Sequence, residues 1–252
     1  MNVIWHGTAS IELENEEGKI LFDPFVPLEG SKVAVTLEDY DGFSDIFVTH
    51  GHFDHIYNIP EIIKRNPNAK VYCTNNPYCV LRKKGVPEIN LQRINYDDEL
   101  KVNGFNICVI HGKHAELPRA SFYRLKYMLK SPAKRNLPLV IRENRICTEN
   151  DETVMYLIEA DGKKLCLMGS LNLRDEIEYP EHADLLILPY NGWEDNFSPA
   201  VKTIERLKPK KVLLDHYDDT FPPITMPLDL SPILKRHKGH VSVAELNRKI
   251  VV

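Results

Sequence analysis

Cysteine is scarce in this 252-residue chain, with five in all: Cys73, Cys79, Cys108, Cys147 and Cys166. Their number is odd and none forms a CxxC pair. That argues against a disulfide framework or a cysteine zinc site and fits a reducing, cytoplasmic setting. No apolar run approaches the roughly 20 residues that span a bilayer, so no transmembrane segment is expected. The stretch Met1–Ser10 contains His6 and lacks the basic-then-apolar pattern of a secretory signal. A large charge of either sign is also missing, since the net charge is -4, which gives no global case for nucleic-acid binding. Repeats, low-complexity tracts and Gly/Ser linkers are absent, so one domain over residues 1–252 is expected. The remaining composition, 43% hydrophobic and 27% charged, excludes a disordered or fibrous chain.

Short strands and helices alternate along the sequence. Val3–Trp5, Ser10–Leu13, Lys19–Phe22, Ile46–Thr49 and Lys70–Cys73 read as strands. Pro60–Arg65 and Pro77–Lys84 read as helices, the second ended by Gly85. Asn103-Gly104 and Asp161-Gly162 mark hairpins between Glu99–Val102 and Phe105–Ile110, and between Val154–Glu159 and Lys164–Met168. Leu185–Leu188 and Lys211–Leu214 read as buried strands, with a helix over Ser198–Leu207 capped by Ser198. Each half thus has hairpins followed by strand–helix–strand units, which predicts an α/β fold of two sheets with helices outside.

Charge is unevenly spread. Lys113–Arg145 holds nine basic residues against Glu116 and Glu143. A basic insert or lid at about 115–147 is therefore expected, and it would attract phosphorylated or carboxylated substrates. Arg124 is the candidate contact within it. Its mixed stretch Phe122–Lys130 also suits a helix packed on the body, a dimer partner or anionic lipid.

The most specific feature is Thr49-His50-Gly51-His52-Phe53-Asp54-His55. Four metal-capable side chains follow a strand directly. His50 and His52 are two residues apart, so an extended segment points them to the same side. Imidazoles with one carboxylate suit a divalent ion such as zinc.

This HxHxDH cluster resembles the signature of the metallo-β-lactamase fold hydrolases. Trp5-His6-Gly7-Thr8-Ala9-Ser10 and Leu21-Phe22-Asp23-Pro24-Phe25 resemble the opening strands of the ascorbate-6-phosphate lactonase-like and N-acylphosphatidylethanolamine phospholipase D-like branch. The resemblance implies a four-layer αβ/βα sandwich with metals at one edge. It implies that His50, His52 and a third histidine hold one ion. His111 and His114 both stand where that ligand is expected, and His114-Ala115 fits better; the other would then support the site or touch substrate. The resemblance further implies that Asp54, His55 and His216 hold a second ion. Asp23 would fix the tautomer of a ligand histidine.

One position departs from the pattern. Where the family carries a bridging aspartate, this chain reads Gly169-Ser170-Leu171-Asn172. The neutral Ser170 leaves one or two ions as open outcomes, with Asp175 a candidate to reach in. The implied chemistry is hydrolysis of an ester, lactone or phosphoester of a small anionic substrate. A metal-held water would attack, with Asp54 as ligand and proton acceptor. His52, in place of the glutamate of the diiron branch, favours zinc, with manganese or iron as alternatives. Asn191 and Trp193, after the strand Leu185–Leu188, are candidate pocket residues. The alternatives are a phosphodiesterase or nuclease of the same superfamily, or a non-catalytic metal-binding protein because of Ser170. Oligomeric state is left open, a homo-oligomer included.

Overall fold

The computed structural model describes residues 1–115, 128, 130–190, 196–225 and 228–252. Among these, fourteen strands form two sheets of seven. The first has the order β14-β1-β2-β3-β4-β5-β6. Its strands are β1 (Asn2–Trp5), β2 (Ile11–Glu14), β3 (Lys19–Phe22), β4 (Asp45–Phe47), β5 (Lys70–Cys73), β6 (Leu91–Arg93) and β14 (Lys249–Val251). The second has the order β13-β12-β11-β10-β9-β8-β7. It contains β7 (Glu99–Val102), β8 (Phe105–His111), β9 (Val154–Ala160), β10 (Lys163–Met168), β11 (Leu185–Pro189), β12 (Val212–Asp215) and β13 (Val241–Val243). Helices α1 (Phe53–Ile56), α2 (Ile59–Arg65) and α3 (Asn75–Lys83) follow strands of the first sheet. Helix α4 (Leu137–Ile146) comes from the basic segment, and α5 (Phe197–Leu207) and α6 (Ser231–Arg236) belong to the second half.

The layers follow from strand alternation. Successive side chains of a strand point to opposite faces, so a continuously apolar strand needs cover on both. In β3, Ile20 and Phe22 enter the core between the sheets, while Leu21 joins the helix-side core with Ile56, Ile59 and Ile62. In β11, Leu185 and Ile187 face the inter-sheet core, while Leu186 and Leu188 pack with Ala200, Ile204 and Leu207 of α5. The result is helix, sheet, sheet, helix. Tyr156 ties the two sheets near the cluster, its hydroxyl donating to the Val48 carbonyl at 2.6 Å.

Three parallel pairings of each sheet aim strand ends at one edge. β3, β4, β5 and β6 run parallel to one another, as do β10, β11, β12 and β13. β8 runs antiparallel to β9 and β9 to β10, so β8 points the same way as β10. Loops leaving β3, β4, β8, β10 and β12 therefore meet, and they carry Asp23, His50–His55, His114, Ser170 and His216.

One expectation needs adjustment. The helix expected from Ser198 begins at Phe197, with Asn196 flanking it, so Ser198 sits inside the first turn rather than capping it. Within the basic segment, Glu143 is buried and takes ion pairs from Arg142 of the same segment at 2.9 Å and from Lys84 outside it at 2.5 Å. The part of that segment at 116–127 and 129, including Arg124, lies outside the described residues. No helix among the described residues is long and apolar enough to cross a membrane.

Candidate metal centre

The loop after β4 cannot continue as a strand because the chain turns at once into α1. His50 is buried in that turn, His52 flanks the helix, and Asp54 and His55 occupy its single turn. The ligand atoms of His50, His52 and His114 all lie within 4.8 Å of one another, as do those of Asp54, His55 and His216. His50 Nε2 and His52 Nδ1 are 3.1 Å apart. His216 Nε2 donates to Asp54 Oδ2 at 3.1 Å, and His55 Nε2 lies 3.7 Å from the same oxygen. Both groups open into one cavity of about 400 Å³. Phe53, Pro189, Phe221 and Ile224 line its apolar side, and Asn144, Ser170 and Thr225 add neutral polar groups.

Hydrogen bonds from beneath fix the ring faces. Asp23 is fully buried; its Oδ1 accepts from the Thr49 backbone N–H at 2.8 Å. Its Oδ2 accepts from Thr49 Oγ1 at 2.6 Å and faces His55 Nδ1 at 2.8 Å. With its proton given to Asp23, Thr49 Oγ1 accepts from His50 Nδ1 at 3.1 Å. One carboxylate thus orients a histidine of each group, leaving both Nε2 atoms facing the cavity. His114 Nδ1 donates to the Ala115 carbonyl at 2.7 Å, which likewise leaves its Nε2 free. Asp23 and His216 hold left-handed backbone conformations, with φ of 44° and 56°, a sparsely populated region for such residues and one that clusters at working sites. Gly169 is required by closeness: a Cβ there would lie 2.6 Å from Thr49 Cβ and 2.7 Å from the Val154 carbonyl oxygen.

The candidate residues divide clearly. The six donors named above come together. Ser170 is buried at the cavity wall, its Oγ accepting from the Ala115 backbone N–H at 2.9 Å. His111 is not brought to the cluster. It is the last residue of β8; its ring stacks on Tyr96 at 3.8 Å and its Nε2 lies 3.3 Å from the Asp151 carbonyl. Asp175 is not brought in either: its side chain is fully exposed and sits 3.8 Å from Arg206. Asn191 and Trp193 lie outside the described residues. Sequence reading passed over Thr49 and Asn144. Thr49 stood next to His50, and its hydroxyl was the available signal; Asn144 gave none.

The donor set suits a divalent cation. Burial pushes His50 well below the usual imidazole range, and the nearby imidazoles of His55, His52 and His114 push the same way. Burial takes His52 down to about 4 against the charge of Asp54, and lowers His114. These three are neutral bases at pH 7. Neutral imidazoles converging within 4.8 Å present lone pairs that a divalent cation accepts. In the second group, burial alone would raise Asp54, but the charge of His55 and the hydrogen bond from His216 hold it well below the ordinary carboxylate range. Burial opposes the charged form of His216, yet the bond and charge of Asp54 take it up to about 9.

The two groups should therefore load differently with pH. At pH 7 His216 carries a proton that an incoming ion must displace, whereas His50, His52 and His114 carry none to lose. Falling pH below 9 should therefore weaken binding at the second group, because the proton held by His216 competes with the ion. Binding at the first group should fall less steeply over the same range, because its three imidazoles are already neutral at pH 7. Calorimetric zinc titrations at pH 6, 7 and 8 check this; two equal slopes would contradict it.

The comparisons with known proteins agree with this geometry. A family model described as a beta-lactamase superfamily domain matches residues 19–217. A UPF0173 metal-dependent hydrolase of Metallosphaera sedula is 30% identical over 220 residues, covering 86% of this chain and 84% of its own length. The UPF0173 metal-dependent hydrolase YtkL of Bacillus subtilis is 28% identical over 233 residues, covering 89% and 88%. Among solved structures, the metallo hydrolase Igni18 of Ignicoccus hospitalis matches with a TM-score of 0.64 at 21% identity, over 99% of this chain and 97% of that one. An isothiocyanate hydrolase from Delia radicum gut bacteria matches with a TM-score of 0.65 at 13% identity, over 100% and 99%. These two structural likenesses bear on the fold alone. The chain therefore belongs to the beta-lactamase superfamily, with the metallo-β-lactamase fold, and is one of its metal-dependent hydrolases.

Proposed function

We propose that the protein cleaves an ester, lactone or phosphoester of a small anionic substrate, with zinc held by two groups of side chains. His50, His52 and His114 form one group; Asp54, His55 and His216 form the other. The observation that carries this reading is that both groups face one cavity. A divalent ion there lowers the pKa of water and polarises the oxygen under attack.

The chain's own residues supply the rest. Asp54 is the only carboxylate among the described cavity-lining residues. Kept ionised, it accepts the proton released as water attacks. Ser170 Oγ accepts from the Ala115 backbone, so its hydroxyl proton is available to a substrate oxygen. Phe53, Phe221 and Ile224 keep one side of the cavity apolar and limit water there. Imidazole ligands favour zinc over manganese, which prefers oxygen donors. With one carboxylate against five imidazoles, a loaded cavity is cationic, which supports an anionic substrate and a lactonase-like preference for small carboxylated or phosphorylated rings. All five cysteines are free, which supports a cytoplasmic setting.

The test is a panel of 4-nitrophenyl acetate, γ-butyrolactone, a carboxylated lactone and bis(4-nitrophenyl) phosphate, offered to zinc-loaded protein. The carboxylated lactone should show the highest kcat/KM, and chelation should abolish turnover. Cleavage of bis(4-nitrophenyl) phosphate alone would replace this reading with a phosphodiesterase. No turnover on any of the four would remove it.

A further inference from the structure

Helix α4 brings one polar side chain to the cavity, and its attachment is unusually polar. At its start, buried Asn136 donates through Nδ2 to the Glu29 carbonyl at 2.8 Å and the Pro222 carbonyl at 2.7 Å. Near its end, buried Glu143 takes an ion pair from Lys84, the residue that follows α3. The Cys147 thiol also contacts Glu143 Oε2, and the Cys147 backbone N–H donates to the Glu143 carbonyl at 2.7 Å. Val140 supplies the apolar contact between these anchors. Buried polar anchors add less stability than apolar packing of the same volume, but they fix position and register. The helix is thereby held against α1, which carries Asp54 and His55.

Asn144 directly follows the Glu143 anchor and lines the rim of the cavity. Its carboxamide is exposed to solvent with no protein partner among the described residues, so its two N–H donors and its acceptor are open to a bound molecule. No lysine or arginine lines the cavity among the described residues. Asn144 is thus the side-chain amide donor among the described cavity-lining residues.

We propose that Asn144 is a substrate-positioning residue, whose Nδ2 donates to a carboxylate, phosphoryl or carbonyl oxygen of the molecule in the cavity. This rests on the hydrolase reading above and adds to it the contribution of the inserted helix. A neutral donor holds an oxygen anion without competing for the metal-side groups, as a second carboxylate would. It also adds no fixed charge to a cavity that a loaded centre makes cationic.

The experiment uses zinc-loaded wild type, Asn144→Ala, Asn144→Asp and Asn144→Gln, with inorganic phosphate as the binding probe and the carboxylated lactone as substrate. Thermal midpoint and zinc content should match wild type in all variants, since Asn144 is at the rim. Asn144→Ala should weaken phosphate about tenfold, the loss of one hydrogen bond to a charged group. Asn144→Asp should weaken it further by charge repulsion, and Asn144→Gln should recover part of the loss. On the lactone the change should fall on KM more than on kcat. A phosphate Kd within twofold of wild type in Asn144→Ala, with zinc content intact, would overturn the assignment. Absent turnover in wild type would count against the hydrolase reading, while the phosphate arm would still decide the role of Asn144.

Discussion

Asp54→Asn should lower kcat/KM by about a thousandfold or more, within the range seen when a general base and metal ligand are lost together. The expectation rests on a charge count. The two donor groups contain five imidazoles and one carboxylate. Asp54 therefore supplies the only negative charge among the six donors, while Asp23 touches His55 from beneath. The substitution keeps the size of the side chain and an oxygen that can face an ion, but removes that charge and the base. It also removes the partner that holds the His216 imidazole at about 9. In metal-free protein the His216 ring should then titrate lower, because burial alone favours its neutral form. NMR of the histidine rings reads this without any substrate. An unchanged His216 titration in Asp54→Asn would show that the pairing does not hold His216, whatever the activity.

Asp23→Asn has the second largest expected effect, and its origin is hydrogen-bond polarity. Asp23 presents acceptors to three donors: the Thr49 backbone N–H, Thr49 Oγ1 and His55 Nδ1. An asparagine has one acceptor oxygen and one NH2 group, so either flip points N–H at N–H. At a fully buried position that should cost about 3–5 kcal/mol, as for a buried pair with one partner removed. The thermal midpoint should fall by roughly 10 °C for a chain of this size. Zinc affinity should fall by about 10–100-fold, because the rings of His50 and His55 lose their support. Thr49→Val separates the two effects. It keeps the packing and the carboxylate but removes the link to His50, so affinity at the His50, His52 and His114 group should drop with a smaller loss of stability. Equal zinc binding in both variants and wild type would show that the outer hydrogen bonds do not position the centre.

How much of this was legible in the sequence depended on how local each signal was. Lys19–Phe22, Lys70–Cys73 and Glu99–Val102 have the same bounds in the structure as in the sequence reading. Each is an alternating or β-branched run bounded by turn residues. Leu91–Arg93, Val241–Val243 and Lys249–Val251 were not anticipated. They are three-residue strands, all three at sheet edges, and they exist because a neighbouring strand offers unpaired backbone groups. The pairing of Asn2 with Val251 joins the two ends of the chain, which no local pattern reports.

The site follows the same rule. His50, His52, Asp54 and His55 were legible because one loop holds all four. His111 and His114 could not be separated by spacing alone. The difference is tertiary: Tyr96 captures the ring of His111, and the chain beyond Gly112 turns His114 toward His50 and His52. Asp175 looked available by its position after Ser170, but Arg206 draws it to the surface. Asn144 was invisible because the basic residues around it suggested a charged lid, whereas Glu143 uses Lys84 and Arg142 to seat the helix.

The central claim is that two groups of donors each hold a metal ion. Metal content per chain, measured by mass spectrometry on protein incubated with zinc and freed of excess, tests it most directly. Wild type and His111→Ala should each retain about two ions, and His114→Ala and His216→Ala about one. Wild-type protein that retains one ion or none after incubation with zinc would contradict the account.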